Sequence, residues 1–216
     1  MGGRVFLVRP EYDAVQQICS EINQRNPLVE CWNNKPMSLS TVSKVLKILE
    51  EDLIVGRSDV LRLLQPDKLL EKLSANYVPP KIKEQVRLKV PASGELLREL
   101  LLKQSQELNL PIAATGKSST AQYSVMQRED LLSAYCPRLD VLLERLPGSK
   151  SDRFPNLELL ETEDETVYFD ARKERNFYWA SPVQVYLELM SGDKRDKETA
   201  EQVKSFILNE LEPVRQ

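Results

Sequence analysis

The spacing of apolar residues in the first third of the chain outlines a small domain of helices followed by a hairpin. Between residues 12 and 22 apolar side chains recur every three or four positions, which predicts a helix. An Asn-Pro pair then opens a short second predicted helix over 27–34. A third helix is predicted after the next proline, with Ser38 or Ser40 as its N-cap residue.

The third predicted helix separates apolar and polar residues onto two faces. Its apolar stripe, which we expect to face a core, consists of Leu39, Val42, Val45, Leu46, Leu49 and Leu53. Its polar face begins with small hydroxyls and two lysines and contains no acid: Ser38, Ser40, Thr41, Ser43, Lys44 and Lys47. The acids of the helix, at 50–52, are confined to its far end. A helix that is merely solvated usually mixes its charges, so this face favours a negatively charged partner.

Two short β-rich runs, 53–55 and 60–64, follow this helix and flank a turn that contains glycine, which predicts a hairpin. A further helix is predicted over 66–77. The order helix, short helix, helix, hairpin, helix is that of a winged helix-turn-helix, whose third helix lies in the DNA major groove. The expected DNA-contacting residues are Ser38, Ser40, Thr41, Ser43, Lys44, Lys47 and, on the wing, Arg57. The alternative is a small helical domain that is used only for protein contacts.

A segment with three prolines, 78–94, marks the expected domain boundary. We therefore predict a winged helix-turn-helix domain over 1–80 and an α+β domain over 81–216. Helices and strands intermingle in the second domain. Helices are predicted over 94–108 and 136–146 and in two further segments after 180, and strands over 86–90, 111–115, 123–127, 156–161, 166–170 and 176–180, the fourth and fifth strands as a hairpin. We expect the part from about residue 91 to fold alone.

Composition limits the class of protein. The chain has 216 residues, 41% of them hydrophobic and 29% charged, which is ordinary for a globular protein. No apolar run has the length of a membrane span and no signal peptide is recognisable. Three widely spaced cysteines indicate a reducing cytoplasm. Residues 1–90 carry a net charge of +3 and residues 91–216 one of −6, which suggests different partners for the two ends.

Several catalytic chemistries have no counterpart in the sequence. The chain contains no histidine, which excludes the commonest general base and metal ligand. The Gly-Lys-Ser at 116–118 lacks the earlier glycine of a phosphate-binding loop, so we interpret it as a strand end followed by a helix start. No lysine has an acid two positions before it, as the common nuclease signature requires. We therefore expect no catalytic residues, no metal site and no cofactor. A metal-dependent nuclease or nucleotidyl enzyme using Asp130, Glu161, Glu163 and Asp164 is the less favoured alternative.

The most specific segment is "SPVQVYLELMSGDKRDKETAE", which begins at residue 181. Ser181 and Pro182 have the form of an N-cap and a first helical residue, and Gly192 that of a C-cap. With "SLSTVSKVLKILEED" and "RLLQPDKLLEKLSANY", this segment resembles the AbiEi-type (abortive-infection) antitoxin family of type IV toxin–antitoxin systems. The resemblance extends over residues ~12–211 by element order.

This resemblance implies a non-enzymatic protein whose winged helix-turn-helix represses its own operon by binding double-stranded promoter DNA. It implies that the second domain counteracts a nucleotidyltransferase-like toxin, without a tight complex being required. The family motif of that domain corresponds to Ser181, Pro182, Tyr186, Leu187, Gly192 and Arg195. The alternatives that stay open are an interaction module that does not bind DNA and, less favoured, the metal-dependent enzyme.

Overall fold

A computed structural model describes residues 2–25, 28, 36–125 and 131–211 of the chain. Helices and strands intermingle along it, so the fold class is α+β, as predicted. The predicted helix over 27–34 lies, except for Leu28, outside the described residues. Asp130 lies outside them as well.

The first part of the chain packs helices around a small antiparallel sheet. After a 3₁₀ turn at Arg4–Leu7 it contains β1 (Glu11–Tyr12), α1 (Val15–Gln24), α2 (Leu39–Glu51), β2 (Val55–Arg57), β3 (Leu61–Leu63) and α3 (Pro66–Ala75). Strand β3 lies between β1 and β2 and pairs antiparallel with both. The predicted helices at 12–22 and 66–77 and the predicted hairpin are confirmed. The sequence pattern did not indicate β1, which is only two residues long.

Helix α2 buries the middle of its predicted apolar stripe but not the two ends. Val42, Leu46 and Leu49 are buried, which fixes the helix against α1 and the sheet. Leu39 and Leu53 are exposed instead, so their predicted place in the core is wrong. Leu39 is the first residue of the helix, and Leu53 lies beyond its end, where the chain turns towards β2. Leu39 has the same rotational position as Val42 and Leu46 but lies in the first turn, at the margin of the core, whereas Leu53 lies outside the helix.

The second part of the chain is arranged around a five-stranded mixed sheet with the order β5–β6–β8–β4–β7. Strands β6 and β8 are parallel, and the other neighbouring pairs are antiparallel. Strands β9 and β10 form a separate antiparallel pair. The elements are β4 (Gln85–Lys89), α4 (Gly94–Leu108), β5 (Ala113–Ala114), α5 (Gly116–Ser119), β6 (Leu132–Cys136), α6 (Leu139–Leu143), β7 (Ser149–Lys150), β8 (Leu157–Glu161), β9 (Arg172–Glu174), β10 (Phe177–Trp179), α7 (Pro182–Met190) and α8 (Lys194–Leu211), with 3₁₀ turns at Thr120–Gln122 and Glu165–Tyr168.

Two of the predicted strands are wrong. Residues 123–125 form a turn and bend rather than a strand, and residues 126–127 are outside the described part. The run 166–170 enters the 3₁₀ turn Glu165–Tyr168, so the predicted hairpin with β8 does not form. Strand β8 pairs instead with β4 and β6, whose residues are distant in sequence. The run 166–170 is apolar because Val167, Tyr168 and Phe169 are buried, and burial alone does not distinguish a strand from a turn. In the other run Tyr123 is buried but Val125 is 97% exposed, so no alternating strand pattern holds there.

One hydrophobic core crosses the predicted boundary at residues 80 and 81. Its buried residues come from the 3₁₀ turn, α1, α2 and α3 and also from α7 and α8. The two parts are joined by polar contacts as well: Arg25 Nη1 lies 2.8 Å from Asp170 Oδ1, and Lys204 Nζ lies 3.1 Å from Asp67 Oδ1. A second core lies between the five-stranded sheet, α4 and β10. Helices α7 and α8 therefore pack against the first part of the chain, although in sequence they come after the five-stranded sheet.

Candidate nucleic-acid interface

The seven residues predicted to contact DNA lie on the outer side of α2, at its N-cap and on β2. Every one of them is solvent-exposed: Ser38, Ser40, Thr41, Ser43, Lys44, Lys47 and Arg57. The opposite side of α2 is held in the core, so the outer side is presented by a helix that cannot rotate without exposing apolar surface. We call this outer side, from Ser38 to Lys47, the hydroxyl–lysine face.

The start of α2 is stabilised by an N-cap serine, Ser38, which is one of the two serines predicted for this role. The Ser38 hydroxyl accepts a hydrogen bond from the Thr41 backbone N–H at 3.2 Å. The Ser38 and Thr41 hydroxyls are also 2.9 Å apart and share a hydrogen bond. These two side chains therefore already stabilise the helix start. Ser40 and Ser43 are the two short hydroxyls of the face that project from the helix beyond this cap.

The two lysines of the face differ in their surroundings. Within the described part of the chain Lys44 forms no ion pair. Lys47 Nζ lies 3.9 Å from Glu51 Oε1, one turn further along α2, and both side chains are mostly exposed. An exposed pair of this kind contributes only about 0.3–0.5 kcal/mol, so it competes weakly with a phosphate. Both ammonium groups are thus accessible to an anionic partner.

The hairpin places its charges differently from the sequence expectation. Arg57 lies in β2 rather than at the tip, and its Nε is 2.6 Å from Glu50 Oε1. The acids at the far end of α2 were expected to stand apart from the predicted contact residues. Glu50 instead pairs with Arg57 and neutralises its charge. The turn itself, closed by a bond of 3.2 Å from Ser58 N–H to Val60 O, carries the exposed acid Asp59. The hairpin is therefore less basic than the hydroxyl–lysine face.

The family motif of the second part is largely inside the molecule. The Ser181 hydroxyl accepts a hydrogen bond from Gln184 N–H at 3.2 Å, which confirms the predicted N-cap. Pro182, Tyr186 and Leu187 are buried. These residues start α7 and attach it to the core. They are not arranged as a contact surface for a partner.

The end of the motif shows why a glycine follows α7. The backbone φ of Gly192 is not in the left-handed region, so the predicted C-cap conformation is wrong. A Cβ at this position would instead lie 2.0 Å from Asp196 Oδ2, so only glycine leaves room for that carboxylate. Asp196 in turn pairs with Lys117 Nζ at 2.8 Å. Arg195 is the exposed member of the motif.

A buried polar network connects the amino terminus, α7 and the five-stranded sheet. Arg4 Nη1 donates to Gln184 Oε1 at 2.8 Å, and Gln184 Nε2 donates to Tyr77 Oη at 3.1 Å and to Glu188 Oε1 at 2.9 Å. The Tyr135 hydroxyl donates to the same Glu188 oxygen at 3.1 Å. Sequence reasoning missed this network, because its hydrogen-bonded partners are up to 180 residues apart and a local pattern does not show which segments meet.

The Glu188 carboxylate lies against the start of α5, at the Gly-Lys-Ser of residues 116–118. Its Oε2 accepts the backbone N–H of Gly116 at 2.8 Å, and a Cβ at Gly116 would lie 2.6 Å from that carboxyl group. Burial raises the pKa of Glu188, and its hydrogen bonds from Gln184, Tyr135 and the Gly116 and Lys117 amides only partly oppose the shift. The interpretation of this segment as a strand end and a helix start is confirmed by β5 and α5.

The acids proposed for a nuclease have other roles where the structure describes them. Glu161 Oε2 accepts the Leu139 backbone N–H at 3.2 Å, Glu163 pairs with Lys83, and Asp164 caps the 3₁₀ turn by accepting Thr166 N–H at 2.9 Å. Among the described residues no group of three or more carboxylate or thiol side chains is arranged to hold a metal ion. These positions therefore do not support a metal-dependent site.

Comparisons of the chain with protein-family models, with curated proteins and with solved structures find no match. In the described ranges no helix combines the length and the apolar character needed to cross a lipid bilayer. Any function proposed for the chain therefore rests on its own residues and on their resemblance to the AbiEi-type antitoxin family.

Proposed function

We propose that this chain is a non-enzymatic, DNA-binding transcriptional regulator and antitoxin of a type IV toxin–antitoxin system. In this proposal it represses its own operon and counteracts a nucleotidyltransferase-like toxin. The observation that carries the DNA-binding part is the hydroxyl–lysine face of α2, which is exposed, free of acids and followed directly by the hairpin β2–β3.

The chemistry of the face suits duplex DNA. Short hydroxyls allow a helix to approach the groove closely, because they add little bulk between the backbone and the base edges. Lys44 and Lys47 supply the charge that neutralises phosphates and releases counterions. The buried side of α2 limits the freedom of the helix before binding, so little additional order has to be imposed on it.

The test is a titration of the full chain with a fluorescent duplex from its own promoter, at two salt concentrations. Lys44→Ala and Lys47→Ala should each weaken binding and flatten the slope of log affinity against log salt by about one. Lys103→Ala is the matched control, because Lys103 is an exposed lysine on α4 that also has a glutamate one turn away. Equal losses in all three variants, or undiminished binding by the Lys44/Lys47 double variant, would contradict the proposal.

The antitoxin part is supported by the resemblance of the segment that begins at Ser181. Its test is co-expression of the full chain with the nucleotidyltransferase-like toxin encoded beside it. We expect growth to be restored both by the parent and by the Lys44/Lys47 double variant, because the basic face serves DNA and not neutralisation. If the toxin still stops growth when the parent chain is expressed at a matching level, the antitoxin part of the proposal is wrong. The DNA-binding part is not affected by that result.

A second candidate function is a protein-interaction module that no longer binds DNA. The pairing of Arg57 with Glu50 and the acid at the hairpin tip favour it, because both reduce the positive charge that a wing offers to phosphates. The same titration separates the two candidates. An interaction module shows no salt-dependent binding to duplex DNA of any sequence.

A further inference from the structure

A cavity of about 620 Å³ lies at one end of the five-stranded sheet, beside the amino end of α4. Its wall is formed by the ends of β4, β6 and β8 together with parts of α5, α7, α8 and β10. We call it the α4 cavity. Its volume falls in the range of about 300–1,000 Å³ that is usual for sites of small organic ligands. None of its lining residues belongs to the hydroxyl–lysine face or to the hairpin.

The charged residues of the cavity wall are mostly cationic, although the chain as a whole has a net charge of −3. Among the residues that the structure describes, the wall contains the cations Lys89, Arg98 and Lys117 and one acid, Asp196. That acid is paired with Lys117 at 2.8 Å. Lys89 forms no ion pair within the described ranges. The wall therefore has an excess of positive charge, which favours an anionic ligand.

The cavity also contains two aromatic side chains. Trp179 forms part of its buried wall, with the Arg98 guanidinium 5.9 Å from the centre of its ring. Phe154 is 74% exposed and has a φ of 55°, in the left-handed region that non-glycine residues rarely adopt. This conformation costs on the order of 1 kcal/mol, and a side chain so exposed recovers little of it by burial. The Arg153 guanidinium lies 5.7 Å from the centre of the Phe154 ring, and an exposed contact of this kind contributes about 0.5–1 kcal/mol, which at most offsets the cost of the conformation.

We propose that the α4 cavity binds a nucleotide, that is, a phosphorylated small molecule with a planar base. Lys89 and the adjoining amino end of α4 suit the phosphate group, since both offer positive charge and N–H donors. The exposed ring of Phe154 offers a face on which a base can stack, a contact that is common in nucleic-acid-binding proteins. A binding site explains both the cationic wall and the strained aromatic residue.

The test uses the full chain with Trp32→Phe, which leaves Trp179 as the single tryptophan reporter. Its fluorescence is followed during titration with nucleoside 5′-monophosphates, with the matching nucleosides and with inorganic phosphate. We expect a saturable change with at least one nucleotide, and at least tenfold weaker binding of its nucleoside and of phosphate.

Variants of the same reporter protein then locate the site. Lys89→Ala and Phe154→Gly should each lower the affinity for the nucleotide by about tenfold. The first removes a positive charge near the phosphate, and the second removes the ring on which the base stacks. Phe154→Gly also relieves the positive φ, so its unfolding midpoint should not fall, and lost binding cannot be attributed to misfolding. Lys103→Ala, which removes an exposed lysine outside the cavity, should bind the nucleotide like the parent.

Three results would overturn the proposal. The first is the absence of a saturable change with every nucleotide up to millimolar concentration. The second is binding of inorganic phosphate as tight as that of the nucleotide, which would leave no role for the aromatic ring. The third is an affinity unchanged by Lys89→Ala and Phe154→Gly, or lowered equally by Lys103→Ala, which would place the ligand elsewhere.

Discussion

Leu53 is a large apolar residue in an unfavourable place. It has a φ of 57° and is 66% exposed, immediately after the end of α2. Two backbone bonds close the helix around it: Ile54 N–H to Leu49 O at 2.9 Å and Leu53 N–H to Glu50 O at 3.0 Å. This is the Schellman arrangement, in which the residue with positive φ is usually glycine. The turn into β2 thus imposes a conformation that the leucine side chain opposes.

We predict that Leu53→Gly raises the free energy of unfolding by about 0.5–1 kcal/mol, because the relief of the left-handed strain exceeds the small loss of buried area. Urea denaturation measures the change. Leu53→Ala is the matched control, since it removes the same apolar atoms but keeps the Cβ, and it should not be more stable than the parent. If the glycine and alanine variants are equally stable, backbone strain is not the cause.

Two buried tyrosines, Tyr168 and Tyr135, differ in the hydrogen bonding of their hydroxyls. Within the described residues the Tyr168 hydroxyl has no hydrogen-bond partner, and burial raises its pKa well above its ordinary value. The Tyr135 hydroxyl donates to Glu188, and burial is again the largest cause of its raised pKa, with the Glu188 carboxylate second. Removing a hydroxyl should therefore have opposite consequences at the two positions.

Tyr168→Phe should leave the free energy of unfolding unchanged or raise it by up to about 1 kcal/mol, because it removes a desolvated group without a partner. Tyr135→Phe should lower it by about 1.5–3 kcal/mol, because it removes a donor to a buried carboxylate. Each variant serves as the control of the other in the same denaturation series. Similar losses at both positions would show that the Tyr168 hydroxyl has a partner.

At the scale of elements, α2 and the hairpin β2–β3 act as one unit joined by the Glu50–Arg57 pair. This pair holds the strand that bears Arg57 beside the end of the helix. It also neutralises a cation that the proposed DNA contact would use. The charge of the proposed DNA-binding surface is therefore set by a contact between two elements and not by either element alone.

Glu50→Gln should increase the affinity for promoter DNA and steepen its salt dependence by about one unit, because Arg57 then becomes available to a phosphate. The promoter titration at two salt concentrations measures both quantities. The matched control is Glu107→Gln on α4, which also removes one acid from an exposed ion pair. An equal gain in the control would attribute the effect to net charge, and no gain at all would mean that the hairpin does not reach DNA.

At the scale of the whole molecule, the first part of the chain is not separable from α7 and α8. One core contains buried residues of α1, α2 and α3 together with buried residues of α7 and α8. Inside this core the Arg4 guanidinium donates a hydrogen bond to Gln184. Strand β4, which precedes residue 91, is paired with both β7 and β8. A fragment that starts at residue 91 would therefore lack an inner strand of the sheet, contrary to the expectation that it folds alone.

We predict that even a fragment of residues 81–216, which keeps β4, does not fold cooperatively. Without the first part, the apolar sides of α7 and α8 would face water, and the Gln184 side chain would lose the Arg4 guanidinium as a partner. Circular dichroism and tryptophan fluorescence during urea denaturation measure this. The full chain should show one transition by both probes, and the fragment should show a broad transition or aggregate. A sharp, coincident transition of the fragment would contradict the prediction.

Short-range patterns were sufficient for most of the helices and for the hairpin. The apolar spacing that predicts α1, α2, α3 and α4 is repeated within each segment, and Ser38 and Ser181 cap the helices that follow them through bonds to residues three positions ahead. The exposure of the hydroxyl–lysine face follows from the same spacing, because a helix with one apolar stripe presents its other side to solvent.

Contacts between residues distant in sequence were beyond such patterns. The parallel pairing of β6 with β8, the pairing of Arg25 with Asp170 and the bonds from Gly116 and Tyr135 to Glu188 each depend on which segments meet in space. The turn at Glu165–Tyr168 resembles a strand in composition because burial selects apolar residues in either conformation. Hydrophobic burial is non-directional, so local sequence specifies which side of an element is buried, while the packed fold specifies what lies against it.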